Sequence, residues 1–532
     1  MDNQQNKITV RQNPDVSLQP LPVAVIDIGT TAVRLLIAQE DANHNLHTLE
    51  SLSLPVSLGT DTFTSGNLGM DAIEEGVQAL AKFRHVLDEY RISDKKQLRV
   101  VATSGVREAR NRYVFVDRVK IATGLDVEVV DEAEVNRLTY LGMQPLFEQY
   151  EDLQGVQSLI VEVGGGSTEV LAVRDSDLIF SQSYRLGSLR LREMLTSFRA
   201  PLPRQRKVIE SHIRQTVREV EERAKNWDSL RLIGMGGDLR FAVDQTLVEA
   251  DWHGLQRLST RKLSEFTTKI LDQSVDELVN TYHLAYPEAE TLGPALLSYL
   301  RFVESLGLKE LFVASTSMRD GVLNEMVSEK IWSGHFAEQV LDSAMNLGRK
   351  YYFDESHCQH VAALSLTLFD ELQEEHRLTP RHRLILQVAA LLHDIGTYIS
   401  ERSHHKHSMY LIRNSTLFGI GRSEQIMISL IARYHRKALP KPRHEGYNEL
   451  DQDNRIAMLK LAAILRVADA LDRGHARRVG NIRVAKEAGR ITVLVPRVPD
   501  LTLEQLALRE KGELFTQVYG MDIAFRQAPG RR

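Results

Sequence analysis

Apolar positions along this 532-residue chain follow two different periods, and the changeover falls near residue 334. Before it, short β-branched runs alternate with segments of helical spacing. Residues 23–37 read as a strand, a tight turn at Gly29 and a returning strand. Ile73, Val77, Leu80, Phe83, Val86 and Leu87 recur at helical intervals, which predicts a helix over 72–90. A strand over 98–103 and a helix over 112–123 follow, and from Leu159 the strand, glycine turn and strand begin again. This second copy continues through a helix over 204–226, a strand and turn over 230–237, a helix over 294–306 and a strand over 310–314. Two such halves facing one another enclose a cleft. After residue 334 long amphipathic segments predict an all-helical domain, and after Asp472 strands over 490–495 and 521–525 flank a helix over 503–511. The expected organisation is a polar, flexible tail (1–21), two α/β halves (22–150 and 151–333), a helical domain (334–478) and a small α+β cap (479–532).

Composition narrows the partners more than the chemistry. Lys and Arg number 66 against 71 acids, a net charge of -5, so the chain as a whole offers no polycation for nucleic acid or a membrane surface. Any anion site must be a local patch. The single Cys358 excludes an intramolecular disulfide, the first residues lack the apolar core of a signal peptide, and no apolar run approaches the roughly 20 residues of a spanning helix. The cytoplasm is the expected compartment.

The chemistry is concentrated at glycines. Ile26-Asp27-Ile28-Gly29-Thr30-Thr31 and Val161-Glu162-Val163-Gly164-Gly165-Gly166-Ser167-Thr168-Glu169 each leave an apolar strand and each carry an acid at its end. Glycine lets backbone approach an anion closely, Ser and Thr hydroxyls donate to its oxygens, and a carboxylate at the strand end can hold Mg²⁺ or a water. A third turn, Gly234-Met235-Gly236-Gly237, belongs with them. Duplicated in order and spacing, these turns predict a clamp for a phosphorylated substrate.

The order of the turns, with Ala102-Thr103-Ser104-Gly105-Val106-Arg107-Glu108-Ala109, Asn111 and Arg319-Asp320-Gly321-Val322-Leu323, resembles the exopolyphosphatase / guanosine pentaphosphate phosphatase family of the actin-like ATPase superfold. The resemblance implies a duplicated actin-like (ribonuclease H-like) α/β half and hydrolysis of a terminal phosphoanhydride, in inorganic polyphosphate or at the 5'-γ-phosphate of guanosine pentaphosphate. It implies Mg²⁺ held by Asp27 and Glu162, with Glu169 a further acid, Gly29, Thr30, Thr31, Gly164, Gly165, Gly166, Ser167, Thr168 and Gly236 around the phosphates, and Arg107 on a phosphate oxygen. The chain departs from the family pattern at three places: Thr31 replaces an Asn, Glu162 replaces an Asp, and Val135 stands where the family has its catalytic glutamate. Glu134, Glu132 and Asp131 are the neighbouring acids available to substitute, with Glu134 the expected one.

In the helical half, His393-Asp394 at the end of an apolar helix, with His357 before it and Asp469 after it, resembles the HD-type metal phosphohydrolases. That likeness implies one site for a divalent Mn, Fe, Zn or Mg ion, and His405 with His435 as candidates for a second position. Arg436 and Lys437, within Arg433-Tyr434-His435-Arg436-Lys437, form a basic strip suited to polyphosphate or to guanosine penta- or tetraphosphate. Two alternatives stay open at this point: an HD-type hydrolase whose α/β half only senses phosphate, and a non-catalytic regulator binding polyphosphate or an alarmone. The family likeness also implies a homodimer.

Overall fold

The computed structural model describes residues 21–41, 46–93, 96–174, 177–197, 202–225, 227, 229–247, 254–327, 335–415, 417–436, 438–487 and 489–528. The tail expected over 1–21 lies, apart from Leu21, outside these residues, as does Lys437.

The alternation of buried and exposed positions produces two mixed sheets of matching design. In the first, β1 (Val23–Ile28), β2 (Ala32–Glu40), β3 (Leu46–Pro55), β4 (Leu98–Ala102) and β5 (Val127–Val129) lie in the order β3-β2-β1-β4-β5. In the second, β6 (Gln157–Val163), β7 (Thr168–Arg174), β8 (Asp177–Tyr184), β9 (Leu230–Met235), β10 (Leu255–Ser259) and β11 (Glu310–Ala314) lie in the order β10-β11-β9-β6-β7-β8. β1 and β6 each pair antiparallel with the next strand and parallel with a later one, β4 or β9. Both are buried along almost their whole length, as central parallel strands must be. The duplication read in the sequence is therefore a duplication of topology.

The helix ending each expected half crosses to the other sheet. Glu132–Gln149 contributes Tyr140, Leu141 and Met143 to a core shared with Ile160, Leu171 and Ile233 of the second sheet. Met318–Val327 contributes Met318, Val322 and Leu323 to a core shared with Val23, Val25 and Val101 of the first. The two helices meet at glycines. A Cβ on Gly321 would overlap the Leu138 carbonyl, and one on Gly142 would stand 2.6 Å from the Ser317 carbonyl. A half-buried network of Glu134, Glu325 and Arg99 around the buried Arg137 ties the same pair together.

Beyond residue 334 the described residues are helical as far as Leu471, and the core of the second sheet continues through Tyr140 and Phe147 into this region. The C-terminal strands β12 (Arg483–Glu487), β13 (Arg490–Pro496) and β14 (Asp522–Ala528) form one small sheet with the helix Thr502–Lys511 packed beside it. No described helix is long and apolar enough to cross a membrane. Since the crossing helices hold the halves at glycine spacing, Gly321→Ala is expected to cost about 1–3 kcal/mol by overpacking. Urea unfolding checks it, and an unchanged midpoint would mean that the crossing tolerates a wider spacing.

Candidate functional site

The two strand turns close in the same way. The Gly29 amide donates to the Ala32 carbonyl at 3.0 Å, and the Gly164 amide to the Ser167 carbonyl at 2.9 Å. Register then sets what stands across from each acid: Asp27 faces Arg34, and Glu162 faces Glu169, on the returning strands. The turns also face each other across the halves. A Cβ on Gly165 would overlap Oγ1 of Thr30 and lie 3.0 Å from its Cβ, while one on Gly105 would lie 3.2 Å from the Thr30 Cα. The third turn needs glycine for its backbone as well, with Gly236 at φ 114. Tyr299 joins the second and third turns: its hydroxyl accepts from the Val163 amide at 2.7 Å and donates to the Met235 carbonyl.

Between the halves lies a cavity of about 480 Å³. Its walls bring together Asp27, Gly29, Thr30, Thr31, Arg107, Glu162, Gly164, Gly165, Ser167, Glu169 and Gly236 from the residues the sequence singled out. Gly166 and Thr168 are not among them. The Gly166 carbonyl accepts from Nε of Arg190 at 2.9 Å, with Ser104 and Phe63 filling the space beside its Cα, and the Thr168 hydroxyl donates to the Leu186 carbonyl. Both support the turn from behind. Among the charged lining groups, Arg34, Asp238, Arg240 and Glu288 escaped the sequence reading, and Arg319 entered it only within a family motif, without a role. Arg34 had a signal in its place seven residues after Asp27, the same offset that separates Glu169 from Glu162.

Position 135 faces the cavity and carries an aliphatic side chain. The expected substitute does not fill it, because Glu134 is held by Nε and Nη2 of Arg137 at 2.7 and 2.6 Å and is absent from the cavity wall. Asp131 is occupied too, capping the helix through the Glu134 amide at 2.9 Å and accepting from the Arg422 amide. Glu132 alone of the three keeps a link to the cleft, 3.8 Å from Nη2 of Arg107.

The acids of the cleft are weakened by where they sit. Glu162 is pushed up to about 7, by burial first and then by the nearby Glu169 and Asp27 charges. Burial also raises Asp27 and Glu169, against the pull of Arg34 on the first and hydrogen bonds of 2.7 and 3.0 Å from Ser167 and Ser183 to the second. Asp238 is pushed up to about 6 by burial. Clustered buried carboxylates of this kind suit a hard divalent cation, whose charge would offset their mutual repulsion.

In the helical half, His357 on the helix Glu355–Glu371, His393 at the end of Pro380–Leu392 and Asp469 on Gln452–Leu471 present ligand atoms within 4.8 Å of one another. Asp394 stands in the same relation to His357 and His475. The ring of His404, and not that of His405, reaches Asp394, with Nε2 at 3.3 Å from Oδ1. Arg436 acts electrostatically on His405, at the rim of this cluster.

A duplicated α/β scaffold with a phosphate-handling cleft makes this chain, by class, an actin-like phosphatase. It belongs to the Ppx/GppA phosphatase family, matching that family over residues 36–330 and its domain III over residues 341–508. It is 25% identical over 454 residues to a guanosine-5'-triphosphate,3'-diphosphate pyrophosphatase of Pseudoalteromonas translucida, across 84% of this chain and 86% of that protein. A protein of the same name from Photobacterium profundum is 24% identical over 466 residues, across 86% of this chain and 88% of that protein. An exopolyphosphatase from Cytophaga hutchinsonii superposes with a TM-score of 0.52 at 23% identity, over 57% of this chain and 97% of that one, which shows the fold alone.

An acid that folding weakens keeps a proton the unfolded chain has lost, so stability falls as pH rises between the ordinary carboxylate range and the raised value. For Glu162 that window ends near pH 7. Urea unfolding of the cation-free protein is expected to show such a decline above about pH 5, with a shallower slope in Glu162→Gln. Equal slopes would place the weak acid elsewhere.

Proposed function

We propose that the cleft removes terminal phosphate from a phosphoanhydride chain, either inorganic polyphosphate or the 5'-end of guanosine pentaphosphate. The observation that carries this reading is the meeting of two glycine turns, Thr30 against Gly165, in one cavity lined by both carboxylates and arginines. In this reading Asp27 and Glu162 hold Mg²⁺, which when bound supplies positive charge to the transferring phosphoryl group. The turn residues Gly29, Thr30, Gly165 and Ser167 hold its oxygens by donors fixed before substrate arrives. Arg107, Arg34, Arg240 and Arg319 spread the charge along the following phosphates, where a planar guanidinium meets two oxygens at once. Both candidate substrates present the same terminal bond, and the curated relatives are named for the guanosine compound.

Water activation is the weak step, because Val135 offers no base. Glu169, inside the cavity, orients water, while Glu132 stands outside the wall and does not match a glutamate at 135. Phosphate release from both substrates with Mg²⁺ tests the reading, and Val135→Glu tests the gap. A positioned base is worth about 10²- to 10⁴-fold, so the substitution is expected to raise turnover at least about tenfold with little change in KM. If Val135→Glu lowers turnover while Glu132→Gln nearly abolishes it in the wild-type background, Glu132 is the working base and the assignment falls.

We infer further that the helical half is of the HD type and holds one divalent ion between His357, His393, Asp394 and Asp469. Supporting this, Nε2 of His357 and of His393 and Oδ1 of Asp394 are buried without a hydrogen-bond partner. The unit boundaries 22–150, 151–333, 334–478 and 479–532, a cytoplasmic location and a homodimer belong to the same reading.

A further inference from the structure

Three consecutive carbonyls of the second phosphate turn are held from one side. The Ser188 amide donates to the Gly164 carbonyl at 2.9 Å, the Arg190 amide to the Gly165 carbonyl at 3.1 Å, and Nε of Arg190 to the Gly166 carbonyl at 2.9 Å. All three donors belong to the start of the helix Ser188–Ser197. In a trans peptide a carbonyl and the amide that follows it point opposite ways, so the amides of Gly165, Gly166 and Ser167 turn away from these donors. Among the described residues none accepts from them, and Gly164, Gly165 and Ser167 line the cavity. Successive free amides of this kind form a concave seat for an anion.

Two of these carbonyls are fixed by backbone and the third by a side chain. Gly166 has no Cβ, so the Gly166–Ser167 peptide can rotate at little cost, and rotated it would present a carbonyl to an anion in place of the Ser167 amide. Arg190 holds it, and Arg190 is itself held by the other half of the molecule. Its Nη2 donates to Oε1 and Oε2 of Glu108 at 2.7 and 2.9 Å, and its guanidinium lies 4.2 Å over the ring of Phe63. Phe63 also fills the space beside Gly166, where a Cβ would stand 2.6 Å from Cζ of the ring. Arg190 and Glu108 are each 20% exposed, whereas Arg185, the second donor to Glu108, is 72% exposed and its bond is weakened by water. A guanidinium makes the three contacts at once, with Nε on the carbonyl, Nη2 on the carboxylate and its face on the ring. We propose that Arg190 is a positioning residue: it keeps the Gly166–Ser167 peptide turned so that three consecutive amides meet the transferring phosphoryl group, and it does so through Glu108 and Phe63 of the other half. That the anion is a phosphoryl group rests on the cleft reading above; the orientation of the peptide does not.

The test compares the full-length wild type with Arg190→Lys, which keeps a charge beside Glu108 and loses the Nε donor, and with Arg190→Ala, each checked for cooperative unfolding. Phosphate release from polyphosphate and from guanosine pentaphosphate is measured with Mg²⁺, and wild type and Arg190→Lys are crystallised with inorganic phosphate. Loss of one oriented donor is expected to lower kcat about 100-fold in both variants, with KM within about threefold of wild type. Added ethylguanidinium should raise kcat of Arg190→Ala and leave that of Arg190→Lys unchanged. Wild-type crystals should hold phosphate on the amides of Gly165, Gly166 and Ser167, and Arg190→Lys crystals should show the Gly166 carbonyl turned into the cavity. A wild-type kcat in Arg190→Lys, or an unturned Gly166–Ser167 peptide in its crystals, would overturn the positioning role. A lowered melting transition in Arg190→Ala without rescue by ethylguanidinium would overturn it too, leaving Arg190 as a weld between the halves. If the wild type releases phosphate from neither substrate, the cleft reading falls, and the crystals alone decide the role of Arg190.

Discussion

A side chain at position 165 would run into Thr30, and Thr30 belongs to the other half of the molecule. The two phosphate turns therefore touch, and everything that forms the cleft is arranged so that they do. Tyr299 fixes the second turn to the third by bonding the ends of β6 and β9. The crossed helices Glu132–Gln149 and Met318–Val327 set the distance between the sheets at two glycines. Glycine at such places costs chain entropy and is retained because a Cβ has nowhere to go.

Holding the turns together gathers charge that folding alone would disperse. Asp27, Glu162, Glu169 and Asp238 share one cavity with Arg34, Arg107, Arg240 and Arg319. The acids are weakened chiefly by loss of water, and the partial compensation from the arginines leaves Glu162 near neutrality. Such an arrangement is poor for stability and good for binding a polyanion together with a cation, since each brings what the other and the protein lack. The outer face of the crossing helix meanwhile binds the helical region, through Asp131 to the Arg422 amide and through Tyr140 to Gln339 at 2.9 Å. The helix carrying Val135 thus lines the cleft on one side and packs against the helical region on the other.

Much of this was legible in the sequence because it repeats. The helix over 112–123 and the strand over 310–314 have the same limits in the structure, and both glycine turns sit at strand ends as read. What escaped depends on contacts the one-dimensional pattern does not carry. The edge strands β3 and β8 are half polar and give no buried run. Arg34 becomes a site residue only through its register against Asp27, and Arg240 and Arg319 only because distant turns converge. Glu134 looked like the available acid until the fold placed Arg137 one turn away on the same face. Between His404 and His405 the choice is made by the helix, whose adjacent positions point about 100° apart, and only the first turns its ring toward Asp394.

On the proposed assignment hydrolysis in the cleft depends on the contact between the turns, and Gly165→Ala disturbs that contact with one added carbon. Steady-state phosphate release from polyphosphate with Mg²⁺, measured beside the melting transition, is the direct readout. The expected result is a loss of at least about 100-fold in kcat/KM, roughly 2.7 kcal/mol of transition-state binding, in a protein that still unfolds cooperatively. Full activity in a folded Gly165→Ala protein would show that the turns need not meet, and the cleft as described here would not be the site of hydrolysis.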